Sequence, residues 1–526
     1  MLLLIALLLL VTIAPARSEP VVWVAPSLVR VGPEDPPQEQ KQIALYSAKG
    51  EYESFQIVVR APQGGLTNVD VTGGLPGAKV TLYREHYVFV RDSSPSSPGD
   101  RNPPLSAGWY PDGLIPFADA TGRDLRGAEL DAVPCTIAAG KNVVVWVDVY
   151  TPREAKSGDS RGAFTVTSDQ GKAAVTVTLY VWDFALPVKP ALKSCFLFWP
   201  TEQRGAGRNV TEQDEELLRH RLMPMTVDPA NERRFIDTLG LNSTNAGFWS
   251  GADMKASTMQ SAPSVEACRQ AAARHQKDLF LYNYTADEIG PNPRLHAPMK
   301  EWARHLRQAG LRNLVTMSPI PELYTDGSGS ALRADRDAGL PKADLGSSGR
   351  SAVDVWVVLP KMYDAGKDRI AEVMRKGDEV WSYNAVVQDT YSPKWELDFA
   401  PINYRLQPGF TNQSLGLTGL LYWRVDNWSR DPWHDVYAYP GYPGEGLLVY
   451  PGRQVGVPGV VASMRLKYLR DGVDDYDYLA LLKQRGLGDW ALGVAREVGA
   501  DWTGWTRDSE ALEAARRRLG ERLSAK

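Results

Sequence analysis

The sequence predicts a multidomain fold of the β plus α/β class: an N-terminal β-sandwich, a (β/α)8 TIM-like barrel and a short C-terminal helical tail. Two observations carry this expectation. Up to Leu186-Pro187 the chain is a succession of short β-branched and aromatic segments cut by Gly, Pro and Asp; beyond it, strand-like and helix-like stretches alternate. The boundaries drawn on that basis are a leader over 1–16, a sandwich over 20–187, a barrel over 188–485 and terminal helices over 486–526.

Leu2 to Ala14 is an almost unbroken apolar run closed by Ala14-Pro15-Ala16, a small-x-small pattern suited to signal peptidase. No Lys or Arg precedes it, and it is shorter than the roughly 18 apolar residues of a spanning helix. A cleaved signal peptide is therefore expected, with the mature chain starting near Arg17, secreted or periplasmic, and with no membrane span. Phe55–Arg60, Lys79–Tyr83, Asn142–Asp148 and Ala174–Val181 then read as strands of a sandwich, several alternating in and out. The proline-rich stretch from Ser94 to Asp112 reads as a long loop lying against another part of the molecule.

The barrel strands are expected at Ser194–Trp199, Met223–Val227, Leu241–Asn245, Asp278–Tyr284, Asn313–Ser318, Val353–Leu359, Glu379–Ala385 and Gly419–Asp426. Helices are expected at Glu212–Arg221, Val265–Gln276, Pro298–Ala309, Lys361–Lys376 and Asn403–Leu415, with Val461–Gln484 after the last strand. Pro319 to Arg350 is rich in Gly, Ser and Asp and reads as a loop. A doubly wound open sheet is the competing topology, but no G-x-G-x-x-G follows its first strand.

A net charge of −4 with no Lys/Arg run excludes a nucleic-acid partner. Three widely spaced cysteines, Cys135, Cys195 and Cys268, make no disulfide framework. The six His form no H-E-x-x-H and no zinc spacing, and neither G-x-S-x-G nor a P-loop occurs, so no metal or cofactor is expected. Sixteen Trp and 22 Tyr supply flat faces with a polar edge, suited to sugars as well as to packing. Sequons at Asn209, Asn242, Asn283, Asn412 and Asn427 are read as chance matches.

Catalytic groups of such a barrel belong at the C-terminal ends of its strands. There the fourth strand meets Asp287-Glu288, the candidate catalytic pair, although the same two residues suit a helix N-cap and a first-turn acid. Acid and nucleophile, or acid and base, of the usual glycosidases stand about 5 or 6.5–9.5 Å apart on separate positions. Neighbours in a strand point to opposite faces. An adjacent pair therefore suits one acid for the glycosidic oxygen and one carboxylate for a substituent on the next carbon, as when a substrate 2-acetamido group is the nucleophile. By position, Asn245, Trp249, Tyr383, Asn384, Gln388, Tyr391, Trp423, Asp426 and Trp428 are candidate sugar ligands, each with packing as its alternative.

Gly108–Pro116, Leu217–Pro224 and above all Ser463–Tyr478, together with the Asp-Glu pair after the fourth strand, resemble glycoside hydrolase family 123, the β-N-acetylgalactosaminidases, and bacterial relatives carrying a domain of unknown function. The resemblance covers nearly all of the mature chain, with Ile289 standing where relatives often have Pro. It implies an exported, retaining hydrolase of terminal β-linked N-acetylhexosamine in a glycan or glycoconjugate. Asp287 would orient the acetamido group, and Glu288 would serve as acid and then base. Glu288 should then have a pKa raised by partial burial and by the Asp287 charge, and Asp287 should stay ionised beside hydrogen-bond donors. Two alternatives are a glycosidase of the same fold for another sugar and a non-catalytic carbohydrate-binding protein.

Overall fold

The computed structural model describes residues 19–198, 210–290, 292–329 and 349–525. The expected leader, Trp199 and the Asn209 sequon lie outside them.

The chain begins with β1 (Val21–Pro26), β2 (Gln42–Lys49), β3 (Glu51–Arg60), β4 (Leu66–Gly74), β5 (Lys79–Val90), β6 (Gly108–Pro116), β7 (Cys135–Ile137), β8 (Asn142–Thr151), β9 (Gly158–Ser168) and β10 (Gly171–Ala185). They form two five-stranded sheets, in the orders β1-β3-β8-β5-β6 and β2-β10-β9-β4-β7. All pairs are antiparallel except β2–β10. Alternation explains the pairing of faces. Phe55, Ile57 and Val59 of β3, with Val145, Val147 and Val149 of β8, meet Phe164 and Val166 of β9 and Val175, Val177 and Leu179 of β10 in one buried cluster. Each such side chain contributes roughly 1.5–3 kcal/mol by leaving water. The stretch from Ser94 lies against residues 390–398: the Arg101 N–H donates to Thr390 O (2.8 Å), and the Ser94 N–H and Oγ–H donate to Asp398 (2.7 Å each). It ends earlier than expected, because β6 already starts at Gly108.

The second half holds a nearly closed parallel sheet of seven strands: β11 (Lys193–Phe196), β12 (Ser243–Asn245), β13 (Phe280–Asp287), β14 (Arg312–Thr316), β15 (Val355–Val358), β16 (Glu379–Asn384) and β17 (Gly419–Tyr422). The order β11-β17-β16-β15-β14-β13-β12 leaves one gap. The second expected strand, Met223–Val227, is not a strand. It makes an isolated bridge from Pro224 to Phe196, and Met225 donates to Phe196 O and accepts from Asn245 N (2.9 Å each). Pro224 has no N–H for a ladder, which accounts for the interruption.

Inward residues Leu314, Val355, Val357, Trp381, Tyr383 and Leu421 form one cluster. Their outward neighbours Val315, Trp356, Val358 and Val380 join a second cluster beneath the helices. Burial on both faces is why these strands read as apolar runs. The helices are α1 (Val210–Arg219), α2 (Pro229–Leu239), α3 (Val265–Ala273), α4 (Pro293–Gln308), α5 (Pro360–Ala365), α6 (Lys367–Arg375), α7 (Ile402–Leu406) and α8 (Asn412–Leu415), the last two joined by a π-helical turn over Gln407–Thr411.

A short hairpin, β18 (Val449–Pro451) and β19 (Val460–Ala462), leads into α9 (Met464–Gln484), followed by α10 (Gly488–Gly499) and α11 (Ser509–Ser524). Helix α9 is buried around its circumference, charges included. Arg465 pairs with Asp112 of β6 (2.8 Å), Lys467 and Arg470 with Asp148 of β8 (2.7 and 3.2 Å), and Asp475 with Arg405 and Arg516 (2.8 and 2.9 Å). Buried charges persist only when paired in this way. All three cysteines are free. Asn242, Asn283, Asn412 and Asn427 are buried. No helix among the described residues is long and apolar enough to cross a membrane.

Candidate active site

Strand β13 carries the acidic pair, and a bulge in it sets their geometry. Its pairing with β14 slips by one residue between Tyr284 and Ala286, so that Asp287 comes opposite Thr316. Thr285, the extra residue, is buried; its hydroxyl donates to Asn313 Oδ1 (2.5 Å) and accepts from Asn283 Nδ2 (2.9 Å). In an unbroken strand Tyr284 and Asp287, three apart, would face opposite ways. The extra residue brings them to one face, and the Tyr284 hydroxyl donates to Asp287 Oδ1 (3.0 Å) while contacting Thr316 Oγ1 (2.8 Å).

Glu288 then turns left-handed, at φ +45°, with its N–H still donating to Thr316 O (2.8 Å). A non-glycine residue there is uncommon and points to function. The kink breaks the strand alternation at Glu288, so the two neighbouring carboxylates are not held to opposite faces.

Both carboxylates are open to solvent yet recessed among protein atoms. Partial loss of hydration raises Glu288, the Asp287 charge raises it further, and Lys361 opposes them. This matches the expectation for Glu288. Asp287 has the expected donors, Tyr284 and Thr316, but desolvation outweighs them and its pKa is raised as well. Both carboxyls are thus shifted upward by burial, and the Asp287 charge adds to the shift of Glu288.

The other candidates divide into two groups. Trp249 is 49% exposed and stands edge-on to Tyr284 (5.7 Å between centroids). Its flanking residues are pinned to β13, Phe248 N–H to Asn283 Oδ1 (2.9 Å) and Ser250 N–H to Thr285 O (3.1 Å). Tyr383 lies in the inner cluster of the parallel sheet, close enough to Asp287 and Glu288 for their charges to raise its pKa after burial has done so. Trp423, half-buried, packs on that same inner cluster. Gln388 accepts from Lys361 Nζ, next to Glu288.

The remaining five hold the scaffold. Asn245 Oδ1 accepts from Tyr284 N–H (2.9 Å), and Asn384 Nδ2 donates to Pro393 O (3.0 Å) and Gln407 Oε1 (2.8 Å). Tyr391 faces α5 through Asp364. Asp426 is fully buried against Arg424 (3.2 Å), and the Trp428 indole donates to Val449 O (2.7 Å). Four residues that sequence reasoning passed over stand at the site: Tyr284, Thr316, Lys361 and Glu445. The first two lie on strands that were foreseen and are found by counting back across the bulge. Lys361 carried no local signal beyond its place after β15, and Glu445, between two glycines of a long connection, carried none.

Comparison with known proteins adds the following. The model for the catalytic domain of glycoside hydrolase family 123 matches residues 340–482, a span that includes Tyr383, Trp423 and Glu445 and stops short of the acidic pair. Among solved structures, a family 123 glycoside hydrolase from Clostridium perfringens, described in connection with glycolipid glycan hydrolysis, is 12% identical. That match covers 96% of this chain and 97% of that one, with a TM-score of 0.63. A β-glucuronidase from Parabacteroides merdae, 9% identical over 71% of this chain and 45% of its own, has a TM-score of 0.25, too low to argue from. No curated protein matches the chain. In catalytic-domain sequence and in whole-chain fold, the protein resembles the glycoside hydrolases of family 123.

Proposed function

We propose that the protein is an exported, retaining glycoside hydrolase that removes terminal β-linked N-acetylhexosamine, N-acetylgalactosamine-like, by substrate-assisted catalysis. We read its architecture as a β-sandwich docked on a (β/α)8-type barrel. The family 123 resemblance supports glycoside hydrolase activity. The observation that carries the finer reading is the bulged, kinked end of β13, where Asp287 is held by Tyr284 and the adjacent Glu288 has its pKa raised.

In this reading protonated Glu288 donates to the glycosidic oxygen as the C1–O bond breaks. The carbonyl oxygen of the 2-acetamido group bonds to C1 from the opposite face, giving a cyclic oxazolinium. Asp287 accepts the amide N–H and balances the positive charge. Glu288, now ionised, takes a proton from water as the hydroxyl adds to C1 and the ring opens, so the configuration is retained. Trp249 and Trp423 are the apolar walls for the pyranose.

The test is hydrolysis of aryl β-N-acetylgalactosaminide and β-N-acetylglucosaminide by wild type, Asp287→Asn and Glu288→Gln. Losses of about 10²–10⁴-fold in each variant are expected, with competitive inhibition by a thiazoline analogue. Equal rates in all three proteins would remove the pair from the mechanism. Ile289, in place of the usual Pro, favours a second reading in which the sugar differs; cleavage of other aryl β-glycosides, insensitive to the thiazoline, selects it. Export rests on the apolar run over Leu2–Ala14 and is checked by N-terminal sequencing, expected to begin near Arg17.

A further inference from the structure

After β17 the chain makes a long excursion and returns through Gly444-Glu445-Gly446. Both glycines are left-handed, at φ +74° and +72°. Neither position has room for a side chain: a Cβ at Gly444 would stand 2.9 Å from the Arg465 guanidinium, and one at Gly446 would stand 2.8 Å from Trp423 Cζ2. The tripeptide thus threads between a buried cation and an indole, and it delivers a carboxylate there. Glu445 is 1% exposed, and its Oε1 accepts the Trp423 indole N–H.

The same carboxylate is tied to the preceding strand end. The Val386 N–H favours its charged form, and Val386 is itself left-handed at φ +42°, a strained conformation for a β-branched residue. Burial nevertheless dominates and lifts the Glu445 pKa to about 7. On the site side, Trp423 packs on the inner cluster with Tyr284 and Tyr383, and its ring edge meets Tyr439 at 6.1 Å. Nothing in the proposed chemistry requires a second buried acid at this place.

We propose that Glu445 is a positioning residue that fixes the Trp423 indole as the sugar platform facing the Asp287–Glu288 pair. The role rests on the glycosidase reading above. An indole held by a carboxylate keeps one ring orientation, so stacking does not have to order a mobile side chain when sugar arrives.

Kinetics and NMR on the full chain test this together. Glu445→Ala should raise KM about tenfold with kcat changed less than twofold, whereas Glu445→Gln, which keeps an acceptor, should recover most of the affinity. Trp423→Ala should match Glu445→Ala, and the double variant should be no worse than Trp423→Ala alone. In ¹⁵N-tryptophan protein, the Trp423 indole N–H resonance should move in Glu445→Gln, and its response to added N-acetylgalactosamine should vanish in Glu445→Ala. A kcat loss with unchanged KM, additive single effects, or an indole resonance blind to Glu445→Gln would each overturn the proposal. If wild type cleaves no aryl glycoside while its indole resonance responds to the sugar in a Glu445-dependent way, the hydrolase reading fails and the platform stands.

Discussion

The Tyr284 hydroxyl offers a quantitative handle on the acidic pair. Tyr284→Phe keeps the ring that Trp249 meets edge-on and deletes one donor to Asp287. Hydrogen bonds to ionised groups are worth about 1.5–3 kcal/mol. This one, at 3.0 Å and shared with Thr316, is longer than the usual O–H···O contact of about 2.7–2.8 Å, which places it near the lower limit. About 1.5 kcal/mol corresponds to roughly one pKa unit. The sign follows from which form the hydroxyl favours: it stabilises ionised Asp287, so its loss raises a pKa that burial has already raised. The acidic limb of the kcat/KM profile should therefore move up by about one pH unit, with activity below neutrality falling roughly tenfold. The alkaline limb, set by the Glu288 proton, should stay where it is. Hydrolysis of an aryl N-acetylhexosaminide across pH 4–9 reads both limbs. An unmoved acidic limb with a uniformly lowered plateau would refute ionised Asp287 as the group that Tyr284 supports.

Two further outcomes concern stability. Arg465→Met leaves Asp112 buried with only the Tyr450 hydroxyl (2.6 Å), and should cost about 3–5 kcal/mol in urea denaturation. Asp378, buried and donated to by the Trp356 indole (3.1 Å), has its pKa raised by burial to about 7. Its protonated form is the one the fold favours, so this contribution is complete below about pH 4 and lost as pH rises through about 7. Asp378→Asn removes that titration. Wild type should lose up to about 4 kcal/mol relative to the variant between pH 4 and pH 8, read as the difference in denaturant midpoints.

The parallel sheet was legible because strands buried on both faces leave continuous apolar runs, and seven of the eight expected strands overlap observed ones. The missed detail is local. Pro224 interrupts the segment expected between the first and third strands, a consequence its lack of an N–H predicts once it is considered. Helix α4 starts at Pro293, capped by Asn292, rather than at Pro298; both capping signals were present and a later proline masked them. At the candidate site, position after a strand pointed to Asp287, Glu288, Trp249, Tyr383 and Trp423, which the structure brings near one another. The same rule pointed to Asn384, Asp426 and Trp428, whose polar groups the structure engages with Pro393 and Gln407, with Arg424 and with Val449. Glu445 was invisible: its glycine neighbours read as ordinary turn residues. Only contact with Trp423, brought about by the return of a long loop, gives that acid a meaning.

The charges on α9 tie together parts of the chain far apart in sequence. Asp112 and Asp148 are laid down in the first third of the chain, while Arg465, Lys467 and Arg470, which neutralise them, emerge far later. Within its own sheet Asp148 accepts from the Ser54 hydroxyl (2.7 Å) and the Trp146 indole (2.9 Å), and the cations of α9 supply the neutralising charge. The antiparallel sheets and the parallel-sheet half are therefore joined through buried ion pairs, and cutting one from the other would leave Asp112 and Asp148 without their cations.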